Sequence, residues 1–183
     1  NPWFASLNKP LLYPPPQMDM DTMPDFVRAI AAAIGLQARG EQLLLEMQQR
    51  MQRLRLRTSG CPRVRVYYEA TGLGRTAGRR SVMNAMIELA GGTNIGAEVD
   101  KPGVVLTNEA ILAADPEVVV LSPFADPTEE ILARPGWEKM SAVVHGRVFR
   151  IPLDRRYVLL ATPRCVQGCE EFLLPWLHPD LVD

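Results

Sequence analysis

Histidine, cysteine and net charge are what this 183-residue chain has least of: two histidines, three cysteines and a formal charge of −1. Each scarcity removes a class of function. His145 and His178 have no ligand or nucleophile at motif spacing, and no G-x-S-x-G, H-E-x-x-H or Walker pattern occurs, which disfavours an enzyme. His145 reads as a solvated turn residue and His178, beside Pro179, as a helix end. The balanced charge argues against a nucleic-acid partner. No apolar run approaches the roughly 20 residues of a membrane span. Asn1-Pro2-Trp3-Phe4 lacks the basic-then-apolar order of a signal peptide, so export would depend on a segment this stretch does not hold.

Cys61, Cys165 and Cys169 are odd in number, which leaves at least one thiol free or paired with another chain. Cys165 and Cys169 lie one helical turn apart, where Cβ vectors are poorly directed for a disulfide. An inert structural role is the favoured reading, a bridge from Cys61 to one of them the next, and a redox or metal role the last.

What is present is a globular composition, 47% apolar and 22% charged, enough for one good core. Leu11-Leu12-Tyr13, ended by Pro14-Pro15-Pro16, reads as a brief strand. Asp21 or Thr22 can cap a helix with Pro24 in its first turn and Gly35 at its end. Leu36, Leu43, Leu44, Met47, Met51 and Leu54 then keep a helical stripe to about Arg57, a rod on the order of 30 Å long. Its late arginines suit the helix dipole, and its methionines read as core.

Beyond Ser59-Gly60-Cys61-Pro62, Val64, Val66 and the tyrosines form a strand. A polar loop carries the chain to a helix that Ser81 caps and Gly91-Gly92 closes. A short helix at Asn108–Leu112 stops before Asp115-Pro116, and Val118–Leu121 reads as a strand buried on both faces. Thr128–Leu132 is helical, Arg147–Ile151 extended, and Pro163 to about Leu177 a closing helix. This alternation predicts an α/β fold, a doubly wound Rossmann-like lobe with a parallel sheet after a long helix.

The loop Gly72-Leu73-Gly74-Arg75-Thr76-Ala77-Gly78 invites a dinucleotide reading and fails it. The third glycine falls four residues after the second instead of three, and no well-placed acid follows for a ribose. Arg79 and Arg80 stand at a helix N-terminus, where each cation costs about 0.3–1 kcal/mol. With Arg75 they could receive a carboxylate or phosphate, or point into solvent. Glu109 sits in a first helical turn, a place the dipole favours for stability alone.

Taken in order, several segments resemble one family. They are Val66-Tyr67-Tyr68-Glu69, Thr76-Ala77-Gly78 with Ser81, Glu88-Leu89-Ala90-Gly91-Gly92-Thr93-Asn94-Ile95, Asn108-Glu109-Ala110-Ile111-Leu112, Asp115-Pro116-Glu117-Val118-Val119-Val120-Leu121, Pro135-Gly136-Trp137, Ala142-Val143-Val144-His145-Gly146-Arg147-Val148, Pro163-Arg164 and His178-Pro179. They resemble the C-terminal half of periplasmic binding proteins that serve ABC importers for cobalamin, haem and ferric siderophores. The resemblance runs from about Pro10 to the end.

It implies two Rossmann-like lobes joined by one rigid helix, with the ligand pinched between them. Residues 1–20 would be a remnant of the N-terminal lobe, 21–58 the helical segment with the bridging helix, and 59–183 the C-terminal lobe; most of the first lobe is missing. Glu109 matches the acid that the family's C-terminal lobe presents to the membrane permease. Ligand-facing residues would be Glu69, Arg75, Arg79 and Arg80, then Ser122 and Phe124, then Arg155, Arg156 and Tyr157.

The arginines favour an anionic guest, a ferric siderophore or haem, with Tyr157 a candidate axial ligand to haem iron. The cobalamin branch carries aromatics after the first strand, where this chain has Gly72, Leu73 and Arg75; a corrinoid remains an alternative cargo. No resident cofactor is implied. The function implied is a periplasmic or membrane-anchored extracytoplasmic solute-binding protein that delivers a metal chelate to an ABC importer permease. The alternatives are a non-catalytic α/β interaction or regulatory domain that lost the cleft, and a small dinucleotide-dependent enzyme.

Overall fold

A computed structural model describes residues 19–181. The strand expected at Leu11-Leu12-Tyr13 lies outside these residues, as does nearly all of the expected remnant of a first lobe.

Helix α1 (Met23–Ala33) carries Pro24 in its first turn, where a missing N–H costs no hydrogen bond. Its entry is organised by Asp19, whose carboxylate accepts from the Thr22 N–H at 2.9 Å and the Asp21 N–H at 3.1 Å. Thr22 caps by position only, without a side-chain bond into the helix. Gly35, at φ +73°, turns the chain into α2 (Gln37–Thr58). At 1.5 Å per residue α2 is a rod of about 33 Å. The two helices meet where Gly40 faces Ala31: a Cβ on Gly40 would lie 2.6 Å from that of Ala31. Leu44, Met47 and Leu54 are buried, whereas Leu36 and Leu43 stay exposed.

Four parallel strands form the sheet in the order β3-β1-β5-β6, with β1 Val64–Glu69, β3 Gly92–Asn94, β5 Val118–Leu121 and β6 Val148–Arg150. In register, Val66 lies beside Val118 and Glu69 beside Leu121. Alternation along β1 divides two cores. Val66 and Tyr68 join Val118 and Val120 against α3 (Val82–Leu89) and the C-terminal helices. Tyr67, Val119 and Leu121 face Ile111 of α4 (Asn108–Ala114), Ile131 of α5 (Thr128–Leu132) and Trp137. The four side chains of β5 are fully buried. Covering both faces with helices makes the lobe doubly wound, as the alternation predicted.

Two local readings need correction. The segment taken as a polar loop contains a strand: β2 (Arg75–Ala77) pairs antiparallel with β4 (Gly103–Val105) in a separate two-stranded sheet. Three residues beside glycines are too few to show a strand's period of two. The closing helix is also broken. After a 3₁₀ run at Leu153–Leu159 come α6 (Cys165–Gly168), a π-helical turn (Cys169–Leu173) and α7 (Leu174–Leu177). Pro175 has no N–H to donate to the preceding turn, and the ladder shifts to the wider π pattern ahead of it.

The cysteines are free thiols, Cys165 and Cys169 in the core and Cys61 half-exposed. Burial pushes the Cys165 thiol up to about 11 and raises that of Cys169 as well. Both therefore stay protonated and inert at neutral pH.

Candidate ligand-facing edge

Because β1, β5 and β6 are parallel, the segments that leave them emerge along one edge, the place where open α/β sheets bind ligands. The three segments are residues 70–74, residues 122–124 and the 3₁₀ run from Leu153. Leu73, Phe124 and Leu153 stand 45%, 55% and 58% exposed there, and Leu160 follows just after the run. Apolar side chains at strand ends lose contact with water only when something covers them. Sequence reasoning named Phe124 and passed over Leu153 and Leu160; the signal at Leu153 was an apolar residue directly before the charged run Asp154-Arg155-Arg156.

Beside this edge lies a pocket of about 500 Å³, lined in part by Tyr68, Thr76, Arg80, Met83 and Leu159. Thr76 is 4% exposed and its hydroxyl has no hydrogen-bond partner, which leaves a buried polar atom available to a guest. Burial also pushes the Tyr68 hydroxyl up to about 12, so it remains a neutral group.

The expected arginine cluster is divided. Arg75 is exposed on β2 and, among the described residues, has no ion-pair partner. Arg79 donates to the Ala97 carbonyl at 2.8 Å. It lines, with Arg80, a larger groove of about 900 Å³ against α2. Arg55 and Arg63 line that groove too, as do Asp19, Asp21, Glu88 and Asp100, so its signs balance and it holds no net attraction for an anion. Ser81 meanwhile accepts from the Asn84 N–H at 2.9 Å and fixes the start of α3 as expected.

In the third segment, Arg155 donates to the Tyr157 hydroxyl at 3.1 Å and lies 3.5 Å from Glu171. Arg156 donates to the Leu153 carbonyl at 3.1 Å. The guanidinium of Arg164 covers the Tyr157 ring at 4.3 Å, a cation–π contact. Tyr157 is thus engaged at its hydroxyl and on one face.

Two residues expected to face the ligand are occupied by the chain itself. Ser122 is 1% exposed; its hydroxyl donates to the Ala70 carbonyl and accepts from the Phe124 N–H at 2.9 Å, tying the first two segments together. Glu69 is fully buried, and Arg134 grips both its oxygens, at 2.5 and 2.9 Å. Arg134 also reaches Asp126 at 2.8 Å, in the loop just beyond Phe124. The Tyr67 hydroxyl donates to Glu69 at 3.0 Å and accepts from the Gly74 N–H at 3.0 Å. Glu69 and Ser122 therefore brace the edge from within. Arg134 was missed because it stands far from Glu69 in sequence, and only the fold brings them together.

Away from this edge, Glu109 is exposed in the first turn of α4, whose N-terminus Thr107 caps by accepting from the Ala110 N–H at 3.2 Å. Its own backbone N–H, and then the Thr107 hydroxyl, hold the Glu109 carboxyl below the usual range. It is a solvent-facing anion at any physiological pH. His145, exposed, shares its Nδ1 with the Ser141 carbonyl at 2.8 Å, and His178 is buried with an unpaired Nε2. Neither lies on the edge's three segments.

The family described as "Periplasmic binding protein" matches residues 11–154. A Bacillus subtilis protein called an uncharacterized ABC transporter substrate-binding lipoprotein, YvrC, is 32% identical over 106 residues, covering 57% of this chain and 32% of its own length. A cobalamin-binding protein of Halobacterium salinarum is 33% identical over 110 residues, covering 57% of this chain and 30% of its own. The matches thus span about a third of the length of these relatives. A solved Staphylococcus epidermidis structure, described as a possible iron-binding periplasmic solute-binding protein, superposes with a TM-score of 0.80 at 18% identity, covering 94% of this chain and 68% of that one.

Proposed function

From the premise that this chain belongs to the periplasmic binding protein family, we propose that it is the C-terminal lobe and bridging helix of an extracytoplasmic solute-binding protein. The whole protein captures a metal chelate, a ferric siderophore, haem or a corrinoid, and delivers it to an ABC importer. It binds and releases, with no bond made or broken.

The observation that carries this reading is the exposed apolar edge. Leu73, Phe124 and Leu153 rise at the carboxyl ends of parallel strands, and the exposed Arg75 follows Leu73 by two residues. A guest with an apolar body and an anionic rim complements that combination, since the apolar faces bury each other while the guanidinium pairs with carboxylate or catecholate oxygens. All three cargo types meet the apolar requirement. The charge favours siderophore and haem, whereas the kinship with a cobalamin-binding protein keeps the corrinoid in view.

α2 supplies the stiff connection such a receptor needs, and its exposed Leu43, Leu45 and Leu56 suit a helix with another lobe against it. Glu109, exposed and anionic, is the residue of this lobe that an arginine pocket on the permease would take. Tyr157 packs against Arg164 and closes one side of the edge.

Deleting the gene and measuring uptake of radiolabelled ferric siderophore, haem iron and cobalamin tests the proposal. Loss of one uptake activity, restored by the gene in trans, supports it. Unchanged uptake of all three would favour the interaction-domain alternative.

A further inference from the structure

The bonds around Glu69 close into a ring when followed to α4. Arg134, which holds Glu69 and Asp126, stacks its guanidinium over the Trp137 ring at 5.1 Å. The Trp137 indole N–H donates to the Asn108 side-chain oxygen at 2.8 Å, and the Asn108 amide donates to the Pro135 carbonyl at 3.1 Å. Asn108 opens α4 immediately before Glu109. On the other side, the Leu106 N–H, one residue before the Thr107 cap, donates to the Gly74 carbonyl at 2.9 Å. Gly74 in turn reaches Glu69 through the Tyr67 hydroxyl. The start of α4 is therefore fastened to the ligand-facing loop from two directions, with Arg134 at the junction.

We infer that Arg134 is a positioning residue: it fixes Glu109 relative to the ligand-facing edge, so that a receptor engaging the permease through α4 presents its cargo in one orientation. This rests on the docking role proposed for Glu109. The chemistry suits the task. The junction is 12% exposed and its charges are satisfied inside the ring, and a buried, fully bonded polar network resists alternative arrangements. Trp137 is fully buried, with Tyr67 edge-on at 6.0 Å, so the indole that reaches Asn108 cannot swing. Glu109 itself faces solvent, and only a register set from behind fixes where it points.

Permease affinity tests this, measured by interferometry on the complete gene product against its importer permease in nanodiscs. The variants are Glu109→Ala, Arg134→Lys, Asn108→Ala and the doubles with Glu109→Ala. If Arg134 and Asn108 act through Glu109, each single variant weakens docking by about fivefold or more, and neither adds to the loss in Glu109→Ala. A merely structural role predicts losses that multiply in the doubles, and that result overturns the inference. Unchanged docking in Arg134→Lys and Asn108→Ala, with Glu109→Ala impaired, overturns it while sparing the docking role. Unchanged docking in Glu109→Ala overturns both. Should Arg134→Lys fail to fold, Asn108→Ala decides, because α4 keeps its Thr107 cap.

Discussion

Gly74 accepts a hydrogen bond from the Leu106 N–H at 2.9 Å and, at φ +76°, packs its α-carbon so closely on the Leu106 carbonyl that no side chain fits. Gly74→Ala combines a left-handed backbone strain with a clash against main chain, neither of which a rotamer change relieves. It should destabilise the protein by about 1–3 kcal/mol in urea denaturation. An unchanged midpoint would mean that the loop is free to move.

The same glycine shows how much of this fold was legible. Long or fully apolar elements declared themselves. α2 kept a helical stripe over 22 residues, and Val118–Leu121 formed an uninterrupted apolar run with turn signals on both sides. Ser81 and the Gly91 turn marked the ends of α3 by capping chemistry alone. The β2–β4 pairing was illegible because each strand has three residues, and its partner lies across α3 and β3. The candidate site divided along similar lines. Strand ends located the edge, whereas occupancy of Glu69 by Arg134, or of Ser122 by Ala70, depends on contacts between distant segments that no local pattern encodes.

Removing one member of the buried ion pair should be costly. Arg134→Gln leaves Glu69, fully buried, without its cation, and a loss of about 3–5 kcal/mol is expected from chemical denaturation. The double variant Glu69→Gln/Arg134→Met should recover much of it, since no buried charge is then stranded. By contrast, Arg28→Ala at the exposed Glu41 pair should leave the denaturation midpoint nearly unchanged, because solvent screens that pair. Equal losses at the two sites would contradict the burial argument.

Thiol chemistry gives a quick check of the core. At pH 8 the native protein should react with a disulfide reagent at Cys61 alone, and all three thiols should react in guanidinium chloride. Cys165 and Cys169 are protonated and shielded by burial. Rapid reaction of two thiols in the native state would place one of them at the surface.

Alkaline stability should report Tyr68. Burial pushes its folded pKa up to about 12, above the ordinary tyrosine value of about 10, so the neutral phenol favours the fold. That contribution is complete below pH 10 and is lost as the pH rises through the folded value. The denaturation midpoint should therefore fall between pH 10 and about 12, and by less in Tyr68→Phe. An identical fall in the variant would assign the transition to another group.

Ligand and permease contacts should separate by mutation. Phe124→Asp puts a charge on the exposed apolar edge and should weaken chelate binding at least tenfold, with little change in stability, because Phe124 is 55% exposed. Glu109→Gln should leave chelate binding intact and impair uptake. Since the Glu109 carboxyl is held below its usual range, docking by the unmodified protein should persist with acidification through the ordinary carboxylate pKa, near about 4.3. Loss of chelate binding in Glu109→Gln, or of permease docking in Phe124→Asp, would mean that the two surfaces are not distinct.

Direct binding tests the central claim. The complete gene product, first lobe included, is titrated separately with haem, a ferric carboxylate siderophore, a ferric hydroxamate siderophore and cobalamin while tryptophan emission is followed. Saturable quenching by one of them at micromolar concentration or below is the predicted result, and it names the cargo. Silence from all four, in protein shown to be folded, would contradict a solute-binding role for this lobe.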